Sequence, residues 1–175
     1  MLWVVDGVWA EINRRLTLWD FARRIRRHGW TGTYVYDDAC AFSYSIGFWE
    51  ALEQPEVIMF GVPLEPSNHL LWKIFHDLKS GELSIADKAV WDLGWEEWPA
   101  LAWRAVDPSQ IRREHFNIAI WYRERQGRSR YGLSAWQLVF PDAAGAFPWE
   151  ETYDQDYRPR QPELWLPYFG PPEED

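Results

Sequence analysis

The sequence predicts a single α+β domain. Three observations carry that prediction. Segments with helical apolar spacing interrupt runs of β-branched and aromatic residues, the pattern of helices packed on a largely antiparallel or mixed sheet. The length of 175 residues lies within the roughly 100–200 residues usual for one domain. A composition 47% hydrophobic and 26% charged supplies a core and excludes a disordered chain. The expected architecture has two to three packed helices and an extended, Pro-rich C-terminal tail. Its parts are an N-terminal helical segment over 1–28, a core over 29–140, and a tail over 141–175 packed on that core.

The elements follow in chain order. A helical stretch with Trp9, Ile12 and Leu16 comes first. Thr17 then offers a capping hydroxyl, with Asp20 three residues on. Leu18, Phe21, Ala22 and Ile25 share one face of the helix that follows, Arg23, Arg24, Arg26 and Arg27 lie around the other side, and Gly29 ends it. Trp30 to Tyr36 and Ala41 to Phe48 read as a hairpin, with Asp37-Asp38 as turn chemistry. Glu56 to Val62 is a nearly continuous apolar run, the signature of a strand covered on both faces. Pro66-Ser67 opens a helix to Ser80-Gly81, with Ser67 as cap and Leu70, Leu71, Ile74, Phe75 and Leu78 as its apolar stripe. Residues 84–99, punctuated by Trp91, Trp95 and Trp98, read as irregular. A strand over Leu101 to Val106, a helix over Pro108 to Gln126 and a strand over Leu133 to Phe140 complete the core. Seven of the twelve prolines lie after residue 140, which predicts an extended tail.

Several of these stretches resemble a known family. Gly29-Trp30, Phe42-Ser43-Tyr44-Ser45-Ile46-Gly47-Phe48, Pro55-Glu56-Val57-Ile58 and Phe60-Gly61-Val62-Pro63 are similar to the centre of the bacterial "domain of unknown function 4262" family. Gln137 to Asp142, Phe147-Pro148-Trp149 and Gln161-Pro162 are similar to its closing segment. The resemblance spans about residues 29–165 and implies a compact bacterial α+β domain. It implies no activity. One position departs from the family's pattern: where a histidine often precedes the Pro-Glu pair, this chain has Gln54.

Charge limits the functions open to the chain. The net charge is −9, arranged as blocks of +3 over 1–30, −9 over 31–107, +4 over 108–140 and −7 over 141–175. That balance argues against nucleic acid as a partner, since nonspecific binding needs a basic footprint. A single cysteine, Cys40, excludes an internal disulfide. No apolar run approaches the roughly 20 residues of a membrane helix. The residues after Met1 include Asp6 and Glu11 rather than an apolar leader, so a cytoplasmic location with no membrane partner is expected.

No catalytic signature stands out, and whether the chain is an enzyme is left open. His69 and His76 are two helical turns apart, too far to hold one metal ion together, so no metal is expected. Two readings remain. In the first, the chain is a non-catalytic binding module that works through protein–protein contact, of inhibitor, immunity or adaptor type. Its fourteen tryptophans and its arginines are the residue types that dominate interfaces. Trp72, on the polar side of its helix, and Arg23 and Arg27 are the interface candidates. In the second, a small molecule binds an aromatic pocket lined by Trp30, Tyr44 and Trp136. Ser45 stands beside a glycine that leaves room for a ligand. No cofactor is expected in the first reading; a flavin belongs only to the second.

Overall fold

The computed structural model describes residues 18–36, 40–96 and 98–173. The helical stretch around Trp9, the Thr17 cap and the Asp37-Asp38 turn lie outside the described residues. Among the described residues six strands form one mixed sheet: β1 (Thr31–Val35), β2 (Phe42–Ile46), β3 (Glu56–Phe60), β4 (Val90–Trp91), β5 (Leu101–Ala105) and β6 (Ala135–Val139). Their order across the sheet is β1-β2-β3-β6-β5-β4. The central pair, β3 and β6, is parallel, and every other neighbour is antiparallel. The α-helices among the described residues are α1 (18–28), α2 (Phe48–Leu52), α3 (Leu64–Ser80) and α4 (Arg113–Arg125). The fold is α+β, as the sequence predicts.

Both faces of the sheet are covered, which is why β2 and β3 are buried along their whole length. Phe42, Tyr44, Ile46, Ile58 and Phe60 pack with Phe116, Ala119 and Ile120 of α4 and Ile25 of α1. Val57, Met59, Leu138 and Trp103 pack on the other face with Leu70, Leu71, Ile74 and Phe75 of α3. Successive strand residues point to opposite faces, so one strand feeds both cores. The small side chains of β2 are polar and are satisfied in pairs: the Ser43 hydroxyl donates to Ser67 Oγ at 2.8 Å, and Ser67 donates to the Leu64 carbonyl at 2.9 Å.

Four element expectations change. The stretch over 84–99, expected to be irregular, carries β4, which pairs with β5 at the edge of the sheet. α3 starts at Leu64 rather than Ser67, with no side-chain cap. Pro66 is tolerated there because the first N–H groups of a helix have no internal partner, and Ser67 is drawn into the core instead. The helix expected from Pro108 is split into a 3-10 turn over Pro108–Gln110 and α4. The C-terminal segment is not a plain extended strap: it is a run of turns with a 3-10 helix at Gln155–Arg160. Asp142 organises it, accepting N–H bonds from Ala144, Ala146 and Asp154 at 2.8–2.9 Å. These bonds, that from Asp154 foremost, hold its carboxyl below the usual range. The segment then crosses the α4 face of the sheet, where Leu164 joins the core and its N–H donates to Gln137. Arg104 lies between the rings of Trp149 and Trp165, 4.9 and 4.8 Å from their centroids.

Candidate functional site

β3 and β6 run parallel, and the chain leaves their carboxyl ends in opposite directions. From β3 it turns through Gly61-Val62-Pro63 into α3 on one face, and from β6 it passes through Phe140-Pro141 to the segment that covers the other. Such a divergence opens a crevice that side chains of the sheet do not fill. Here the crevice has a volume of about 250 Å³. Phe60, Val62 and Phe140 give it apolar walls, and Trp98 and Tyr157 add aromatic surface.

Arg160 supplies its charge. The guanidinium lies 4.3 Å over the Tyr157 ring and forms no salt bridge with a described residue. Three contacts fix the loop that carries it. The Gln161 amide donates to the Phe140 carbonyl at 2.6 Å and accepts from the Phe140 N–H at 3.0 Å. The Cys40 thiol donates to the Arg160 carbonyl at 2.7 Å. Gly61, at φ +70°, lets that carbonyl approach: a Cβ there would lie 3.2 Å from it. Together the residues offer an apolar slot, four aromatic side chains and one cation, which is recognition chemistry for a flat, anionic molecule.

A second polar centre lies at the opposite end of β3. Glu56 is 2% exposed and accepts from the backbone N–H of Gly47 at 2.8 Å and of Phe48 at 3.0 Å. The Ser45 hydroxyl bonds its other oxygen at 2.5 Å and accepts from the Val57 N–H at 2.9 Å. Burial pushes the carboxyl up to about 7, although the hydrogen bonds from Ser45, Gly47 and Phe48 pull it down. Glu56 therefore joins the hydroxyl-aliphatic-glycine run to the Pro-Glu strand, two stretches that the sequence shows only as separate motifs. A carboxylate opening an otherwise apolar strand was the signal for it.

The residues singled out from the sequence do not meet at one place. Tyr44 lies in the core beneath α4, whereas Trp30 and Trp136 lie with the core beneath α3, so the expected common aromatic pocket is not assembled. The period-2 alternation of strands decides this, because the sheet itself separates the two faces. Tyr44 instead serves α4: Phe116 departs from helical geometry, at φ −125° and ψ 26°, and the Ile118 N–H donates to the Tyr44 hydroxyl at 3.1 Å. Ser45 binds Glu56. Trp30 and Trp72 meet edge to face with centroids 4.8 Å apart, and both line a polar cavity with Arg24 and His28. Arg23 and Arg27 are exposed on α1, and neither lines the cavity beside Trp72. Trp98, Tyr157 and Arg160 were missed, because they come from irregular segments whose convergence has no local pattern.

Among the described residues no group of three or more histidine, cysteine, aspartate or glutamate side chains is placed to hold a metal ion. No described helix is long and apolar enough to cross a membrane. No curated protein and no solved structure matches this chain. One family model does, and it covers residues 24–154. That span holds Ser45, Gly47, Glu56 and the β3 and β6 sides of the crevice, and it ends before Tyr157 and Arg160. With most of its length matched, the chain belongs to the family described as "Domain of unknown function (DUF4262)".

Proposed function

We propose that this protein binds a small, flat, largely apolar molecule bearing one anionic group, in the crevice at the carboxyl ends of β3 and β6. The observation that carries the reading is the Arg160 guanidinium, in no salt bridge with a described residue, at the rim of an aromatic-walled cavity. A volume of about 250 Å³ lies just below the roughly 300–1,000 Å³ of drug-sized sites, which favours a ligand smaller than a flavin. The test uses 8-anilinonaphthalene-1-sulfonate, a flat aromatic sulfonate, titrated into the full chain and followed by fluorescence. Saturable binding is expected, weakened about tenfold by Arg160→Ala, the equivalent of about 1.4 kcal/mol, and weakened again by Trp98→Ala. Binding indifferent to both substitutions would sink the proposal.

One observation favours protein contact as a second reading. Trp72 is 46% exposed yet held in place by Trp30 beneath it and by His76, stacked 5.6 Å away. A rigid exposed indole beside the cations of α1 has the makings of an interface anchor. Under this reading Trp72→Ala abolishes capture of a partner while leaving the unfolding midpoint near that of the wild type. A large loss of stability would assign the residue to the core instead.

A further inference from the structure

The last part of the chain is bound along the segment before α4 as a peptide would be. The Asp107 N–H donates to the Leu164 carbonyl at 2.9 Å, and the Gln110 amide donates to the Leu166 carbonyl at 2.9 Å. The Tyr168 N–H donates to Ser109 Oγ at 2.8 Å, and the Arg112 guanidinium sits 3.9 Å over the Tyr168 ring. Arg112 also donates to the Pro171 carbonyl at 3.3 Å. Further along the run, the Glu173 carboxylate accepts from the Arg113 N–H at the first turn of α4 and from Arg130 at 3.0 Å. An anion there is favoured by both guanidinium groups and by the helix dipole.

Trp165 still packs against Trp149 and the Ala102–Val139–Phe147 cluster, but beyond it this strap is held by polar contacts rather than by burial. Leu166 is 48% exposed and Phe169 93% exposed, so peeling it away uncovers little apolar surface. The site it occupies is larger than the carboxylate in it. A cavity of about 220 Å³ beside Glu173 is lined by Ser109, Ile111, Arg112, Arg130 and Tyr131. The Arg112 Nε–H is buried with no hydrogen-bond partner among the described residues, 3.9 Å from the Glu173 carboxylate. A buried donor left over in this way is costly, and an anion seated deeper would satisfy it.

We infer that the groove along residues 107–113, with Arg112, Arg130 and the first turn of α4, is a binding site for an extended acidic peptide of a partner protein. The chain's own C-terminal strap is its resident ligand. A tethered strap competes at an effective concentration in the millimolar range, so a partner segment binds only when it displaces the strap.

The probe is a fluorescein-labelled peptide with the sequence of residues 167–175, added to the full chain and followed by fluorescence anisotropy. The wild type is expected to bind it weakly, because the strap is in place. Glu173→Lys sets a cation against Arg112 and Arg130, loosens the strap, and is expected to raise peptide affinity at least tenfold. Arg130→Ala in that background is expected to remove the gain, and added salt to weaken it. Circular dichroism confirms that each variant is folded, and Glu173→Gln, which removes the charge without reversing it, is expected to fall between. Equal affinities for wild type and Glu173→Lys, no binding by either, or a gain that survives Arg130→Ala each overturn the inference.

Discussion

Replacing Glu56 by glutamine tests the balance that holds the end of β2 against the start of β3. In the native state burial moves the carboxyl from its ordinary 4.5 to about 7. Between those values the folded chain binds a proton that the unfolded chain has lost. Stability therefore falls as pH rises from about 4.5 to about 7, and the loss is complete above that window. Each unit is worth about 1.4 kcal/mol, so the full effect is about 3 kcal/mol. Glutamine mimics the protonated acid: its carbonyl can accept from Gly47 and Phe48, and its amide can donate to Ser45 Oγ. The variant is expected to match the wild type within about 1 kcal/mol at pH 5. At pH 8 it is expected to exceed the wild type by up to about 3 kcal/mol.

Urea unfolding of both proteins at pH 5, 6, 7 and 8 measures the difference directly. His115, whose pKa burial holds low, contributes the opposite slope, since its neutral form is the native one. It does so in both proteins and cancels. Parallel profiles, or a glutamine variant less stable at pH 8, would refute the reasoning. Such a result means that the bonds from Ser45, Gly47 and Phe48 outweigh desolvation and keep Glu56 ionised. Glu56→Ala is expected to be less stable at every pH, because it leaves the Gly47 and Phe48 N–H groups without an acceptor and opens a cavity.

Three further outcomes follow from the geometry. Tyr44→Phe removes the acceptor of the Ile118 N–H and is expected to cost about 1–3 kcal/mol, with faster amide exchange in α4 but not in α3. Gly61→Ala forces a side chain into φ +70° with its Cβ 3.2 Å from the Arg160 carbonyl. A loss of about 1–2 kcal/mol and weaker anilinonaphthalenesulfonate binding are expected together, and loss of stability alone would separate the bend from the crevice. Asp142→Asn weakens the acceptor of three backbone N–H groups. At least a tenfold rise in exchange at Ala146 and Asp154 is expected, and the wild type should show the same loosening as pH falls through the lowered pKa of Asp142. Unchanged protection would show that Gln161 and Leu164 suffice to hold the segment.

Much of the fold is legible in the sequence. The stripe from Leu70 to Leu78 and the alternation through Phe42 to Ile46 placed α3 and β2, because apolar periodicity is local and a buried face leaves its period in the sequence. The arginines of α1 face outward around Ala22 and Ile25 as their spacing requires. The stretches resembling the family lie within one folded unit, and the family assignment followed from them. The aromatic pocket was not legible. Tyr44, Trp30 and Trp136 each suit such a pocket by residue type, but which face each takes depends on strand register, a property of pairs of strands.

The sequence by itself determined the class of the fold, the position of its main elements, the excess negative charge and the family. These rest on composition and on patterns a few residues long. Only the tertiary structure decided that β3 lies parallel to β6, that a crevice opens where they end, and that Arg160 reaches it. It alone brought Glu56 to Ser45 and Gly47, and Glu173 to Arg112 and Arg130. Each of these joins segments distant in the chain, and their pairing is fixed by how whole faces are buried rather than by any local preference.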